Sequence, residues 1–275
     1  GKECEPNNSF PQGKRSAYLT GIFYFCGNLL LFCHFKKRMQ LFYTPDIAGE
    51  TYVLNEEESR HCVRVLRLGE GDELRLTDGR GTLYTARIVS ASPKRCEVRV
   101  TERREEYGKR PCRLCLAVAP TKNTDRFEWF LEKATEIGVD RIVPLICDRS
   151  ERRVLKTDRC TKVVTSAVKQ SLKAYHPVLE EPVPFREAVR KPFDGDKFIA
   201  HCAESAEKRL LRDLVIPGRD VWVLVGPEGD FSPEEIARAK ENGFREVSLG
   251  TSRLRTETAG VAACHTVALL NEREE

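Results

Sequence analysis

The spacing of apolar and polar residues changes along the chain and predicts two regions after Met39. Residues 72–103 largely alternate apolar and polar positions, which is the period of a β-strand with one buried face. The turn-forming residues 78–81, Asp-Gly-Arg-Gly, interrupt this alternation and predict a hairpin. The positions expected to face a core are Leu74, Leu76, Tyr84, Ala86, Ile88, Val98 and Val100.

A short helix is expected before these strands, because Asn55 is a favourable N-cap and three glutamates follow it in the first turn. The polar segment 102–111, ERREEYGKRP, then predicts a linker. Together these patterns predict a small β-barrel-like domain over residues 39–108.

Beyond the linker, predicted strands and helices alternate over residues 109–275, which is typical of a mostly parallel α/β sheet covered on both faces. The expected strands are 113–120, 141–147, 197–202, 221–227 and 246–250. The expected helices are 125–137, 158–173, 206–214, 233–242 and 258–271.

Composition adds little to this division into two domains, but it bears on which molecules the protein can bind. The chain has 275 residues, 40% of them apolar, enough for a sizeable core and two domains. Its net charge of +4 is held entirely by residues 1–38, so the remainder is balanced. Overall charge therefore says nothing about nucleic acid, and RNA binding must depend on local basic clusters.

Residues 17–35 form a charge-free, mostly apolar stretch between basic flanks. Such a stretch is compatible with a membrane helix or a signal-peptide core, but Asn28 and His34 are polar within it. Since Met39 is the only methionine and opens a natural first strand, we expect residues 1–38 to be upstream sequence absent from the native protein. A membrane anchor is the alternative.

The 11 cysteines are odd in number and scattered, which favours a reducing cytoplasm over a disulfide scaffold. The one Cys-x-x-Cys pattern, residues 112–115, has no second copy and is interpreted as ordinary thiols. The five histidines show no ligand spacing, so no metal site is expected.

Residues 226–230, Gly-Pro-Glu-Gly-Asp, follow a predicted strand directly. Glycines at a strand end allow a ligand to approach the backbone, and ligands bind at such strand ends in open α/β sheets. Glu228 and Asp230 disfavour a phosphate and permit a neutral or cationic ligand. A tight turn leading into the helix N-cap Ser232 is the alternative. Residues 232–235, Ser-Pro-Glu-Glu, predict a well-capped helix start.

Residues 249–263 carry a second candidate motif, in which a loop with Arg253 and Arg255 follows a strand and precedes a helix of small residues. Small residues allow that helix to pack closely against a neighbour or a second subunit. A solvated pair of arginines is the alternative to a binding site.

These motifs resemble a known family. The segments GPEGDFSPEE (226–235) and LGTSRLRTETA (249–259) are similar to the cofactor-binding half of the SPOUT RNA methyltransferases. Residues 61–81 and 130–151 resemble the RsmE family of 16S ribosomal RNA uracil-N3 methyltransferases. The resemblance covers residues 39–275. It implies a trefoil-knotted α/β domain, an exception to the rule that chains do not thread, preceded by a PUA-like RNA-binding domain.

The resemblance implies S-adenosylmethionine as cofactor, a sulfonium cation without phosphate, held by three loops. These are the end of residues 198–204, the loop 226–229 and the loop 249–259. The implied binding residues are Leu224, Gly226, Pro227, Glu228, Gly229, Leu249, Gly250, Leu254, Arg255, Thr258 and Ala259.

The implied reaction is attack of uracil N3 on the cofactor methyl group. Arg255 is the first candidate to stabilise the charge that develops on the deprotonated base, and Arg253 is the second. Glu228 is either the proton acceptor or a structural carboxylate. Ser252 and Arg253 depart from the family pattern, which has Arg then Ile there, so any role of that missing arginine is in doubt.

The implied partner is 16S ribosomal RNA, free or in the assembled small subunit, and a homodimer through the knotted domain is expected. The candidate RNA-binding residues are Arg60, Arg64, Arg67, Arg149, Arg152 and Arg153. Spacings of four and three place the first three on one helix face. Solvated surface is the alternative for both clusters. Two further interpretations remain: a non-catalytic RNA-binding protein, and a nucleotide-phosphate binder, which the missing Lys-Ser or Lys-Thr disfavours.

Overall fold

The computed structural model of the chain describes residues 40–272. The predicted leader, residues 1–38, lies outside this range, so its origin remains a prediction. None of the helices within the described range is long and apolar enough to cross a membrane.

The first part of the described chain forms a five-stranded sheet, as the alternating pattern predicts. Its strands are β1 (Leu41–Tyr43), β2 (Thr51–Val53), β3 (Glu73–Thr77), β4 (Leu83–Ala91) and β5 (Cys96–Arg104), in the order β1-β3-β4-β5-β2. The hairpin is confirmed, with Thr77 paired to Leu83 across residues 78–81. The predicted core positions of β3 and β4 are buried, and Val100 of β5 is partly buried against them.

Helix α1 (Glu56–Arg60) begins where predicted, with the Asn55 side chain accepting a hydrogen bond from the Glu58 amide at 2.8 Å. It continues as a π-helical turn, His61–Val65. The sequence predicted that Arg60, Arg64 and Arg67 share one helix face. This prediction is wrong for Arg67, which lies beyond the helix in a left-handed conformation with φ 55°. The spacing argument assumed an α-helix through residue 67, which the wider π-turn and this reversal interrupt.

The rest of the described chain forms an eight-stranded sheet in which all the recorded strand pairs are parallel. Its order is β11-β13-β10-β12-β6-β7-β8, with β9 also paired to β7. The strands are β6 (Leu114–Val118), β7 (Arg141–Ile146), β8 (Val178–Leu179), β9 (Val183–Pro184), β10 (Asp196–Ala200), β11 (Arg209–Leu210), β12 (Val221–Val225) and β13 (Arg245–Ser248). The predicted α/β class with a mostly parallel sheet is confirmed, and the five predicted strands are its centre.

Helices cover both faces of this sheet. They are α2 (Thr124–Ile137), α3 (Thr157–Gln170), α4 (Phe185–Ala188), α5 (Pro233–Glu241) and α6 (Thr256–Leu270). Alternate residues of β12 enter two separate cores, with Val223 packed among residues of α2, α3 and α6, and Leu224 among residues of α4 and α5. Strands buried on both faces explain the continuous apolar runs in the sequence.

The predicted helix over 206–214 is wrong. These residues form the edge strand β11 and a short 3-10 turn, Leu211–Asp213. The β13 edge supplies backbone partners for Arg209 and Leu210, and only Leu211 of the 3-10 turn is buried. Because Lys208 donates to the backbone oxygens of His201 and Ala203, the residues before β11 are held on the loop that follows β10.

The two sheets belong to one compact unit, residues 39–275. The Thr77 hydroxyl donates to the Ala174 carbonyl at 3.0 Å, and Lys169 of α3 forms an ion pair with Glu58 at 2.6 Å. The boundary predicted between residues 108 and 109 falls between β5 and β6 and remains a prediction. The cysteines of the Cys-x-x-Cys pattern are buried free thiols, and burial raises the pKa of both.

The small residues of α6 allow it to pack closely on α2, as the sequence predicts. A Cβ atom at Gly260 would lie 2.7 Å from Cε2 of Phe130, which is closer than such atoms approach. Replacing a helical glycine with alanine ordinarily stabilises a helix by about 1 kcal/mol. Here we expect Gly260→Ala to lower the free energy of unfolding by about 1–3 kcal/mol instead, since the core is overpacked. Urea unfolding measures this change.

The matched control for Gly260→Ala is the double variant with Phe130→Leu, which removes the ring that is struck. The two changes should be strongly non-additive, because the smaller side chain relieves the clash. Additive costs would show that the close approach of α6 to α2 is not the cause.

Candidate active site

Three loops meet at the carboxyl edge of the parallel sheet. Strands β13, β10 and β12 are neighbours in that order, so the residues following each strand share one edge. The loops are 201–203 after β10, 226–230 after β12 and 249–255 after β13. These are the three loops named from the sequence, and their common edge is where ligands bind in open α/β sheets.

The packing around the 226–230 loop leaves little room for a side chain at either of its glycines. A Cβ at Gly226 would lie 3.1 Å from the Phe231 ring, and one at Gly229 would lie 3.2 Å from Arg149 Cβ. The Gly226 carbonyl accepts a hydrogen bond from the Thr256 hydroxyl at 3.1 Å, which fixes the start of α6 on this loop. The tight turn weighed from the sequence is therefore present, and it forms one wall of the edge where the loops meet.

Asp230 joins two of the three loops. Its Oδ2 accepts from the Cys202 amide at 2.9 Å, and its Oδ1 accepts from the Phe231 amide at 2.9 Å. It adopts φ 61°, a left-handed conformation that aspartate tolerates better than most residues. The next residues carry the predicted capping box, in which the Ser232 hydroxyl accepts from the Glu235 amide and Glu235 accepts from the Ser232 amide.

Glu228 is exposed, and its Oε1 accepts from the Lys122 amide at 2.9 Å. The carboxylate therefore bridges the loop after β12 to the loop after β6. This is the structural alternative weighed from the sequence, and the bond leaves the other carboxylate oxygen, Oε2, without a recorded protein donor in the described chain.

Arg253 and Arg255 are both exposed on the 249–255 loop. Within residues 40–272, neither guanidinium has a hydrogen-bond or ion-pair partner. The Arg255 backbone is held in place, because its carbonyl accepts from the Ala259 amide at 2.7 Å as α6 begins. A fixed backbone with an unpaired cationic side chain suits contact with an anion from solution.

The remaining predicted cofactor residues differ in exposure. Leu249, Leu254 and Ala259 are partly buried, and Gly250 and Thr258 are exposed at the loop and the first turn of α6. Leu249 and Ala259 pack against the main core. Gly226, Pro227 and Leu224 are buried, and Leu224 packs into the core on the α4 and α5 face. Only backbone atoms of Leu224 are therefore positioned to meet a ligand.

The second predicted RNA-binding cluster, Arg149, Arg152 and Arg153, donates to backbone carbonyls in and near the candidate site. Arg149 donates to the carbonyls of Gly229 and Phe231 at 3.0 and 3.3 Å. Arg152 donates to the Lys122 carbonyl at 2.6 Å, and Arg153 donates to the Asp148 carbonyl at 2.8 Å. Carbonyl partners leave the positive charge unneutralised, so these arginines hold the loops and keep the edge cationic. In the first cluster, Arg60 is paired with Glu56 at 2.7 Å.

Two arginines that the sequence analysis missed lie on the small sheet. Strand register places Arg87 of β4 directly opposite Arg99 of β5, both exposed. Neither has an ion-pair partner in the described part of the chain. Like charges directly opposite one another are destabilising, so this pair is a candidate contact for an anion. The alternation of residues 72–103 placed both on the polar face, but only the register brings them together.

His201, also missed, is buried where β10 ends. Its Nε2 lies 3.1 Å from Oε1 of Glu246, and Ser205 and Lys240 contact the same carboxylate. Burial lowers the pKa of His201, and the nearby Lys208 adds to this. The neutral ring then donates from Nε2, which leaves Nδ1 as an acceptor. Nδ1 is buried and has no partner among the described residues.

This histidine predicts a pH dependence of stability. Because the folded pKa is lowered, the unfolded chain binds the proton more readily. The stability is therefore fully present above the unfolded value of about 6.5 and is lost as pH falls below it. The slope contributed by one such group is at most about 1.4 kcal/mol per pH unit. We expect His201→Gln to flatten the fall in unfolding free energy between pH 7.5 and 5.5, measured by urea unfolding.

Burial also lowers the pKa of His176, so His176→Gln is the comparison variant and should remove a separate share of the slope. An unchanged slope in His201→Gln would mean that this histidine does not titrate differently in the two states.

The fold and the site define a class of protein, and comparison with known families identifies that class. Residues 108–268 match the family model described as an RNA methyltransferase domain. Residues 54–101 match the model described as an RNA methyltransferase PUA domain. The small sheet with its helix is thus a PUA domain, and the α/β sheet is a methyltransferase domain.

Relatives narrow the class to one family. Ribosomal RNA small subunit methyltransferase E of Rickettsia conorii is 32% identical over 219 residues, which is 78% of this chain and 88% of the relative. The structure of a probable rRNA methyltransferase from Porphyromonas gingivalis is 43% identical, with a TM-score of 0.79 over 85% of this chain and 98% of that one.

A second solved structure is of the named enzyme with a ligand. Ribosomal RNA small subunit methyltransferase E from Neisseria gonorrhoeae, bound to S-adenosyl methionine, is 31% identical, with a TM-score of 0.77 over 84% of this chain and 98% of that one. The chain belongs to the ribosomal RNA small subunit methyltransferase E family.

Proposed function

We propose that this protein transfers a methyl group from S-adenosylmethionine to N3 of a specific uridine in 16S ribosomal RNA. The observation that carries the proposal is the meeting of three loops at the carboxyl edge of β10, β12 and β13, with an unpaired Arg255 beside them. The named activity of the relatives and the ligand of the Neisseria gonorrhoeae structure support it. Action on ribosomal RNA would place the protein in the cytoplasm.

The residues at this edge fit the proposed cofactor. Partly buried Leu249 and Leu254 offer apolar surface for a base, and the carboxylates of Glu228 and Asp230 suit a cation better than a phosphate. His201 Nδ1, buried without a partner among residues 40–272, is an acceptor that a hydroxyl or amino group of the cofactor would satisfy. The cofactor, when bound, supplies an electrophilic methyl group on sulfur.

The chain's own residues would position the base and stabilise its charge. Uracil N3 is a poor nucleophile until its proton leaves, and the negative charge then spreads to the flanking carbonyl oxygens. Arg255 would stabilise that charge, with Arg253 second to it. The N3 lone pair then forms the bond to the methyl carbon as the sulfur–carbon bond breaks. The Glu228 oxygen that is not bound to Lys122 is the candidate proton acceptor.

The proposed RNA surface combines three groups of arginines. Arg149 bonds to the loop after β12, Arg152 bonds to the neighbouring loop after β6, and Arg153 bonds to the Asp148 carbonyl. Arg60, Arg64 and Arg67 lie on or beside α1 in the PUA domain. Arg87 and Arg99 are added from strand register. The target uridine must be unpaired or splayed to reach the site. The substrate is either free RNA or the assembled small subunit.

We also propose a homodimer through a knotted α/β domain, in keeping with the family pattern. Helix α6 is apolar around most of its circumference, although Leu269 is 61% exposed. Thr258, His265 and Leu269 follow one face at spacings of seven and four. A largely apolar helix is ordinarily buried, so the exposed Leu269 on this face suits contact with a second copy.

Replacing Leu269 with glutamate is expected to shift the protein toward monomer, because a charge would be buried at the subunit contact. Sedimentation equilibrium measures the dimer dissociation constant, which should rise by at least about tenfold, or 1.4 kcal/mol. Val154→Glu, at a valine that is 77% exposed outside α6, is the matched control and should leave association unchanged. Equal behaviour of the two variants would remove α6 from the interface.

The first test of the proposed function is thermal unfolding with S-adenosylhomocysteine, with ATP as control. A ligand present at about 100 times its dissociation constant should add about 2.7 kcal/mol of stability. Stabilisation by the first ligand alone supports the cofactor class and is followed by methylation assays on ribosomal subunits. No effect of either ligand would favour a non-catalytic RNA-binding protein, and an effect of ATP alone would favour a nucleotide site.

A further inference from the structure

A second cavity lies at the opposite edge of the α/β sheet from the three loops. It has a volume of about 750 Å³ and is lined by the first residues of β6, β7 and β12, with the linker 107–113 and residues 171–178 beyond α3. These are the amino ends of parallel strands, whereas the proposed methyltransferase site is at their carboxyl ends. The volume falls within the range of about 300–1,000 Å³ that is usual for small-molecule sites.

One wall of this cavity carries a buried donor without an acceptor. Trp222 is 3% exposed, and its Nε1 has no hydrogen-bond partner in the described part of the chain. The ring is fixed by edge contacts with Phe193 and Phe244, at centroid distances of 5.4 and 5.6 Å. Leaving such a donor unsatisfied costs about 1–3 kcal/mol.

The same cavity contains an unpaired cation. Each of the other lysines and arginines in its wall pairs with a carboxylate: Lys109, Arg110, Arg113, Arg141 and Lys191. Lys173 is half-buried and has no such partner within residues 40–272. Burial lowers its pKa, because the ammonium group is partly removed from water. Six cations and three carboxylates line the cavity, and one of the carboxylates, Asp194, forms no ion pair within residues 40–272. An anion therefore fits this wall at Lys173.

Aromatic side chains indicate what kind of anion would fit. Tyr107, Tyr175, His176 and Phe193 line the cavity together with Trp222. Flat apolar faces beside a cation are the combination that binds nucleotides, because the base stacks while the phosphate meets the charge. A simple inorganic anion would use the cation but would make no contact with the aromatic faces that line the cavity.

We propose that this cavity binds a ribonucleotide unit, with a phosphate oxygen accepting from Lys173 and an acceptor of the base or ribose meeting the Trp222 indole. The unit is either a free nucleotide or one residue of an RNA strand. The site would hold its ligand without chemistry and is separate from the loops that carry the proposed methyl transfer, so its occupancy does not depend on that function.

The test uses the full chain with Trp129→Phe, which leaves Trp222 as the only tryptophan of the two in the sequence. Uridine 5′-monophosphate, uridine, inorganic phosphate and a short oligouridylate are titrated while tryptophan emission is recorded, and calorimetry repeats each titration. We expect the monophosphate to bind and to change the emission. Uridine and phosphate alone should each bind at least about tenfold more weakly, since each offers only half of the contacts.

Variants separate this cavity from the methyltransferase site. Lys173→Gln and Trp222→Phe should each weaken binding of the monophosphate at least about tenfold by calorimetry. Lys94→Gln, at an exposed lysine in the turn between β4 and β5, is the matched control for charge and should change nothing. Arg255→Ala should leave this binding intact, and Lys173→Gln should leave stabilisation by S-adenosylhomocysteine intact. A failure of the nucleotide-binding proposal can therefore be told apart from a failure of the proposed methyltransferase function.

Two results identify the source of the nucleotide. Tighter binding of the oligouridylate than of the monophosphate supports an RNA strand, and the reverse supports a free nucleotide. The proposal is overturned if neither changes Trp222 emission at about 1 mM, the weak end of specific binding. It is also overturned if phosphate binds as tightly as the monophosphate, or if Trp222→Phe binds normally while remaining folded.

Discussion

Arg255→Ala is expected to lower the turnover of RNA methylation by about 10²–10³-fold while leaving the affinity for S-adenosylhomocysteine nearly unchanged. The guanidinium is exposed and has no partner among residues 40–272, so its removal disturbs no observed contact. Its proposed role arises only when charge develops on the deprotonated uracil, and such interactions affect turnover more than binding. Single-turnover methylation assays and calorimetry measure the two quantities separately.

Two further variants test whether Arg255 acts through its position and shape. Arg255→Lys keeps the charge but loses the planar fork of donors, so an intermediate rate is expected. Arg253→Ala, on the same exposed loop, should have the smaller effect if Arg255 is the principal group. Normal turnover in Arg255→Ala would remove this residue from the mechanism. An equal loss in both alanine variants would assign the role to the pair.

Asp230→Ala is expected to weaken binding of S-adenosylhomocysteine at least about tenfold and to destabilise the fold. The carboxylate accepts from the amides of Cys202 and Phe231, each at 2.9 Å, and so joins the loops after β10 and β12. A hydrogen bond to a charged group contributes about 1.5–3 kcal/mol, and alanine also tolerates the left-handed conformation less well than aspartate. Calorimetry measures the affinity, and urea unfolding measures the stability.

The controls for Asp230 separate the backbone from the hydrogen bonds. Asp230→Asn retains one carbonyl acceptor and a tolerance of the left-handed conformation, so it should recover much of the affinity. Asp230→Gly loses both side-chain hydrogen bonds, as alanine does, but tolerates the left-handed conformation, so it should resemble alanine in affinity and exceed it in stability. If alanine at this position binds S-adenosylhomocysteine normally, the junction of these two loops is not part of the cofactor site.

Local signals in the sequence were sufficient for most elements. Alternation over residues 72–103 predicted the hairpin, and the capping residues Asn55 and Ser232 predicted the starts of two helices. These features depend on neighbours within a few positions, which the sequence displays directly. The segment 206–214 was mistaken for a helix because its partner, β13, lies more than 30 residues away in the sequence.

The residues of the candidate site likewise fall into those that the sequence predicted and those that only the structure revealed. Sequence alone placed the glycine loop and both arginines, because each directly follows an apolar strand and ligands bind at such strand ends. It could not show that Arg149 binds a carbonyl of the loop after β12, or that Arg152 binds one of the loop after β6, since those contacts join residues 80 and 30 positions apart. Nor could it show that His201 is buried without a partner for Nδ1, or that Arg87 faces Arg99.

What the sequence determined by itself was the class of each region, the positions of its main strands along the chain and the loops of the candidate site, since periodicity and capping act locally. Only the tertiary structure decided which side chains already have a hydrogen-bond or ion-pair partner within the protein. Arg255 and Lys173 lack partners in the described chain, whereas Arg149 and Lys191 have them. Partnership depends on which strands lie side by side, and a parallel sheet joins strands that are far apart along the chain.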